Sequence, residues 1–226
     1  YNLSEHPLRR NAEKRRARPG ELSAVRKLDH DQRRREIAEV AARLIAADGM
    51  AALTTRSIAR AMGCSIGVLS HYFESKAGIV TAAFAWASAR IEQRLARALA
   101  RGISVDNLLP LIEAALPRDR QSRIEWGVRL QLWSHAAADA GAAAVLRTDM
   151  ERNRALLASV IVQLQHQQEV RPAIDANNVA QMLMDLMHGM GFAALLRLHH
   201  AGHDPVAAFN VLVDDLRNGD SGGTRG

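Results

Sequence analysis

Two helical runs too short to stand alone sit back to back around Gly63, and they constrain what this chain can become. In the first, Thr54 or Thr55 can cap a helix over residues 55–62, with Ile58, Ala59 and Met62 turned inward. Gly63 can then take the positive φ of a sharp turn. In the second, Ser65 can cap a helix over about 66–72 that turns Leu69 and Phe73 inward at i and i+4. Helices this short are marginal in water unless they pack on something longer. The preceding run supplies the support. From about Asp31, Ile37, Val40, Ala41, Leu44 and Ile45 recur at i, i+3, i+4, i+7 and i+8, until Asp48–Gly49 stops the helix.

Helical periodicity continues to the end of the chain. Ser75 reads as the cap of a long helix over 76–101 that ends at Gly102. Further helices are expected over 105–116 (bent at Pro110), 119–138, 142–168, 175–200 and 204–217, with breaks at Gly141, Pro172 and Gly202–Pro205. No β-branched alternation flanks a hairpin turn, so no strand is expected. The expected fold is all-α: a three-helix domain with a helix-turn-helix, then a larger helical domain, about nine helices in total. The expected boundaries are a flexible basic arm over 1–30, the helix-turn-helix domain over 31–78, a larger helical domain over 79–218, and a disordered tail over 219–226. At 226 residues the chain can bury roughly 70% of its unfolded surface, so its core needs neither disulfide nor metal.

Charge is distributed unevenly. Residues 1–35 hold 11 Lys/Arg and 5 Asp/Glu, while the remaining residues hold 19 of each, so the net charge of +6 sits entirely at the front. A basic arm ahead of a small helical unit is an electrostatic footprint for nucleic acid, although a solvated tail has the same composition. The single cysteine excludes an internal disulfide and suits a reducing compartment, so a cytoplasmic location is expected. No apolar run is read as long enough for a membrane span, and no membrane partner is expected.

The short second helix has the shape that a major groove about 12 Å wide admits. With Leu69 and Phe73 pinned inward, Ile66, Gly67, Ser70 and His71 form the opposite face. Small residues there allow close approach, and the hydroxyl and imidazole can bond phosphates or base edges. The segment LTTRSIARAMGCSIGVLSHYFESKAGIV, residues 53–80, resembles the DNA-binding segment of the TetR family of bacterial transcriptional regulators. The resemblance runs from about 33 to 84 and rests on LTTR, the G-x-S-x-G turn at 63–67, HYF at 71–73 and Lys76 in that order. It implies that Thr54, Thr55 and Arg56 grip phosphate and reach a base. It also implies that Ile66, Gly67, Ser70 and His71 read the groove, with Ser65 at the head of that helix, and that Tyr72 and Lys76 hold phosphate. Ser70 stands where the family often has tyrosine, and Ile66 where it is often polar or basic, so no operator sequence is implied.

The resemblance further implies that 31–78 is a DNA-binding domain and 79–218 a ligand-binding and dimerisation domain, together a ligand-responsive regulator. It would most simply be a repressor that binds a palindromic double-stranded operator as a homodimer, through helices near 175–200 and 204–217, and that a small molecule releases. The stretch Glu125–Ala201 is similar, more faintly, to the choline-responsive branch, through Trp126, Trp133 and Asn153. An activator of the same family, or a helical sensor working through a protein partner, fits the same sequence. In the C-terminal domain, Trp126 and Trp133 share a helix face as core or pocket wall, with a cation–π surface as one use. Asp185 and His188, at i and i+3 in an apolar helix, need partners there. These four are the candidate ligand residues.

Three other readings are set aside. Cys64 reads as packing ahead of a redox thiol. His199, His200 and His203 have no cysteine or carboxylate to complete a metal site, so no metal or cofactor is expected. The letters G-x-S-x-G occur between two helices rather than at a strand end, so the hydrolase reading fails on context and no enzyme is expected.

Overall fold

The computed structural model describes residues 19–198 and 205–218. The expected disordered tail over 219–226 and the histidines 199, 200 and 203 lie outside the described residues. Among the described residues there are nine α-helices, one 3-10 turn and no strand.

α1 runs over Pro19–Ala52 and begins well before Asp31. Pro19 suits a first helical position, where its missing N–H costs nothing, so the proline read as part of a flexible arm starts the helix instead. Gly49 (φ 79°, ψ 171°) breaks α1 near its end in a conformation only glycine takes freely. α2 (Thr55–Met62) and α3 (Ile66–Tyr72) follow, then α4 (Lys76–Leu99), whose cap Ser75 accepts a hydrogen bond from the Gly78 N–H. α4 ends before Gly102, which sits at φ 108°.

The 3-10 turn Val105–Asn107 leads into α5 (Leu108–Ala115). The bend expected at Pro110 does not occur, because Pro110 falls in the first turn of α5, where a proline removes no intrahelical bond. Asp119 caps α6 (Arg120–Ala136) through the Ser122 N–H, and Asp139 caps α7 (Ala140–His166) through the Ala142 N–H. Gly141 is therefore inside α7, and the break lies before it. α8 (Ala176–Leu196) stops four residues earlier than expected. Arg197 takes the left-handed conformation (φ 57°) and the Leu198 N–H returns to the Ala193 carbonyl at 2.9 Å. No glycine marks that stop in the sequence. α9 covers Pro205–Asn218.

Two cores form along α4. Ile79, Ala83, Phe84 and Ala87 close the first with Ile37, Ala41 and Ile45 of α1, Ile58 of α2, Leu69 of α3, and Val128 and Leu132 of α6. Ile91 and Leu95 enter the second with Leu111, Ile112, Ile161, Leu183 and Phe209. Burying each of the Ile, Leu, Val and Phe side chains contributes about 1.5–3 kcal/mol, so α4 is held at both ends. α6 touches the first core and carries Trp126 toward the second.

α8, with 21 residues and an 18-residue window of mean hydropathy 1.3, is long and apolar enough to cross a membrane, which corrects the reading that no run reaches that length. In the fold it is a core helix: Val179, Ala180, Leu183, Met184 and Met187 are buried against its neighbours.

Candidate nucleic-acid interface and effector cluster

Thr54, not Thr55, caps α2. Its Oγ1 accepts from the Ser57 N–H at 2.9 Å, and the Thr54 N–H donates to Ser57 Oγ at 2.9 Å, a reciprocal capping box. Thr55 and Arg56 are left exposed in the first turn. At the other end Gly63 (φ 64°) closes the helix, its N–H returning to the Arg60 carbonyl. Cys64 is half-buried against the first core.

Ser65 stands at the cap position of α3 with extended backbone, but its hydroxyl makes no capping bond, contrary to the expectation. α3 is held instead by packing: Leu69 is 1% exposed and Phe73 6%. Ile66 (44% exposed), Gly67, Ser70 and His71 line its outer side, so all four expected recognition residues share one open face. Ser70 Oγ reaches only the Ile66 carbonyl, at 3.4 Å. Lys76 folds its ammonium toward the Met50 carbonyl at 3.4 Å and stays exposed.

Two residues of α1 complete this surface. The His30 ring lies 4.9 Å from Tyr72 and 5.9 Å from His71, and Tyr72 and His71 meet edge to face at 5.1 Å. Arg34 donates to the Tyr72 carbonyl and lies over the Phe73 ring, 4.2 Å from its centre. Neither residue stands out in the sequence as part of this surface. The signal was faint: both are polar positions on the support helix, a few residues ahead of its apolar stripe.

In the C-terminal half, three of the four candidate ligand residues meet. Trp126 (1% exposed) donates its indole N–H to the Ala115 carbonyl at 2.7 Å. Its ring lies directly on the backbone of Gly191, where an added Cβ would sit 2.1 Å from it. His188 lies 5.9 Å from Trp126 and 4.9 Å from Trp133, and Phe192 meets both indoles edge to face at 5.3 and 5.1 Å. Burial, followed by the nearby Arg129 charge, pushes His188 down to about 4, so its imidazole is neutral at pH 7. Asp185 departs from the expectation. It is exposed and accepts from Gln181 at 2.9 Å; three residues before His188 it shares that side of α8 but stands at its wet edge, where packing leaves it in solvent.

Charged residues missed in the sequence brace this region. Glu125 is fully buried between Arg90 and Arg94 at 3.1 and 2.6 Å. Buried Arg129 pairs with Asp149 at 3.0 Å and donates to Ser88 Oγ at 3.2 Å. Their position beside Trp126, on the inward stripe of α6, was the available signal. A cavity of about 20 Å³, room for about one water, lies between Trp126, Arg129, Asn153, Ile91 and Met187. Among the described residues no group of three or more His, Cys, Asp or Glu gathers as metal ligands would.

Comparison with known proteins follows the same division. Residues 37–83 match the family model for bacterial regulatory proteins of the tetR family, and residues 104–215 match the model for the BetI-type transcriptional repressor C-terminal domain. A curated relative, the HTH-type transcriptional regulator PksA of Bacillus subtilis (strain 168), is 33% identical over 85 residues. That match covers 38% of this chain and 39% of the relative's length. A TetR-family regulator from Rhodococcus sp. superposes with a TM-score of 0.74 at 19% identity, covering 83% of this chain and 99% of that one. A transcriptional regulator from Saccharomonospora viridis, solved in complex with choline, superposes with a TM-score of 0.69 at 27% identity, covering 82% and 95%. With both halves matched by models of one family and the all-helical fold shared throughout, the chain belongs to the TetR family of bacterial transcriptional regulators and is a DNA-binding regulator, not an enzyme.

Proposed function

We propose that this protein is a repressor that binds a near-palindromic operator as a homodimer and leaves it when a small molecule occupies the C-terminal domain. The observation that carries this is the open face of α3. Ile66, Gly67, Ser70 and His71 are exposed together while Leu69 and Phe73 anchor the helix beneath them. Thr55, Arg56, Tyr72 and Lys76 flank that face as phosphate holders, and Thr54 and Ser65 set the ends of the two helices. Such a role belongs in the cytoplasm, beside the chromosome.

A second copy is supported by unpaired apolar surface. Met182 (44% exposed) and Leu196 (50%) on α8 and Val211 (71%) on α9 are large side chains that water does not favour. Joining two chains through α8 and α9 would set two α3 helices into successive major grooves, about 34–36 Å apart. The choline-bound neighbour supports a ligand in the C-terminal domain. A ligand that binds the non-operator conformation better suffices for release. The test is footprinting on the DNA upstream of the protein's own coding region, with sedimentation at micromolar concentration. A symmetric footprint from a dimer is expected, and a monomer or an absent footprint contradicts the reading.

A further inference from the structure

Two polar atoms in the aromatic cluster are buried without a hydrogen-bond partner: Nε1 of Trp133 and Nε2 of His188. They are complementary. An indole nitrogen only donates. The Met184 carbonyl, one turn back, favours a proton on the His188 nitrogen that faces it. The proton of the neutral ring is thereby committed, and Nε2 presents a lone pair. One donor and one acceptor are therefore left open side by side, on rings whose centres are 4.9 Å apart. Buried polar groups are rarely left without partners, and His188 is only 5% exposed.

The surroundings narrow what could satisfy them. Trp126 cannot yield, because its N–H is bonded to Ala115 and its ring rests on Gly191. Trp133 and Phe192 are half-buried and reach the surface, so the cluster opens on their side. The walls are aromatic faces and edges. No carboxylate is free to meet a cation: Glu125 and Asp149 are held by arginines, and Asp185 points outward to Gln181. Arg129 and Asp149 stand nearby as a pair whose charges offset each other, so the buried side of the cluster offers a cation no unbalanced negative charge.

We propose that the Trp126–Trp133–His188–Phe192 cluster is the effector site and that it takes an uncharged ligand bearing a hydroxyl on an apolar, ring-sized body. The hydroxyl accepts from the Trp133 indole N–H and donates to His188 Nε2, so one group satisfies both atoms. The apolar body separates Trp133 and Phe192 from the fixed Trp126 wall. This rests on the reading of the C-terminal domain as the effector domain and departs from the ligand of the choline-bound neighbour. Choline also carries a hydroxyl, but its trimethylammonium group would find no free carboxylate there.

The test uses the full chain and three probes: phenol, toluene and choline. The chain has three tryptophans, Trp86, Trp126 and Trp133, so it gives three indole N–H resonances, assignable with single Trp→Phe variants. Phenol should move the Trp133 resonance, leave that of Trp86 in place and bind about tenfold more tightly than toluene. In Trp133→Phe, which keeps the aromatic packing, phenol should fall toward the toluene level. Toluene matching phenol on the wild-type protein, choline moving Trp133, or no probe moving it would each overturn the proposal, and the wild-type comparison holds whether or not the variant folds. Phenol that moves Trp133 without releasing operator DNA leaves the site standing and counts against ligand-released repression. Choline that releases DNA with Trp133 unmoved keeps that repression and sinks this site.

Discussion

The side-chain oxygen of Gln131 accepts a hydrogen bond from the backbone N–H of Met50, 3.4 Å away, and so ties α6 to the corner where α1 ends. The Met50 carbonyl in turn accepts from Lys76, at the head of α4. One turn before Gln131, Gly127 lets α6 approach α1 so closely that an added Cβ would lie 3.1 Å from that of Ala46. Trp126 and Trp133 sit on this same helix, so the aromatic cluster and the DNA-binding corner share one rigid element. Gln131→Ala should therefore speed hydrogen exchange at the Met50 amide by about threefold to tenfold, the value of one net hydrogen bond, with amides in the middle of α1 unchanged. An unchanged Met50 amide would show that the bond ties nothing.

Thr54 and Thr55 are adjacent and chemically alike, yet the fold gives them different work. Thr54→Ala removes the capping box and should lower unfolding free energy by about 1 kcal/mol. Thr55→Ala should change stability by less than about 0.5 kcal/mol while weakening DNA binding. Thermal denaturation beside fluorescence anisotropy on an operator duplex separates the two. Equal stability losses would contradict the cap assignment.

Lys76 reaches past the end of α1 from an exposed position. As a phosphate contact it should act on all sequences alike. Lys76→Ala should weaken operator and non-operator duplexes by similar factors and lower the slope of log affinity against log salt by about 1 per chain. A loss confined to the operator would make Lys76 a base reader instead.

His188 carries a pH signature. Its ordinary pKa of 6.5 is lowered to about 4 in the folded protein, chiefly by burial. The unfolded chain therefore binds a proton more readily, and stability is fully present above pH 6.5 and lost as pH falls toward 4. The loss is bounded by roughly 3 kcal/mol. Denaturant unfolding of wild-type and His188→Phe protein across that window should show a shallower pH dependence in the variant. Parallel curves would place His188 in contact with water.

Periodicity and turn chemistry carried much of this architecture. Gly63, Leu69 and Phe73 announce α3 because a glycine turn and an i, i+4 apolar pair admit few alternatives. What escaped depends on tertiary context. Ser65 has the right residue type for a cap, but its hydroxyl is not used. Pro110 and Gly141 look like breakers, yet each falls in a first turn, where both residues are tolerated. Asp185 and His188 are near neighbours on one helix, and only its packing decides that one is buried and the other wet. His30 and Arg34 join the α3 surface through space, and nothing in their spacing from His71 says so. The cluster around His188 was half visible: Trp126, Trp133 and His188 were readable as candidates, while the part played by Phe192 required the α6–α8 contact.

The most direct measurement is selection of bound sites from a random duplex pool by the wild-type protein and by His71→Ala. The account predicts that the wild type enriches an inverted repeat whose half-site centres lie about 34–36 Å apart along the duplex, and that His71→Ala loses the preference within each half-site. Enrichment of a single asymmetric site, no enrichment at all, or an identical motif from the variant would contradict reading of DNA by a pair of α3 helices.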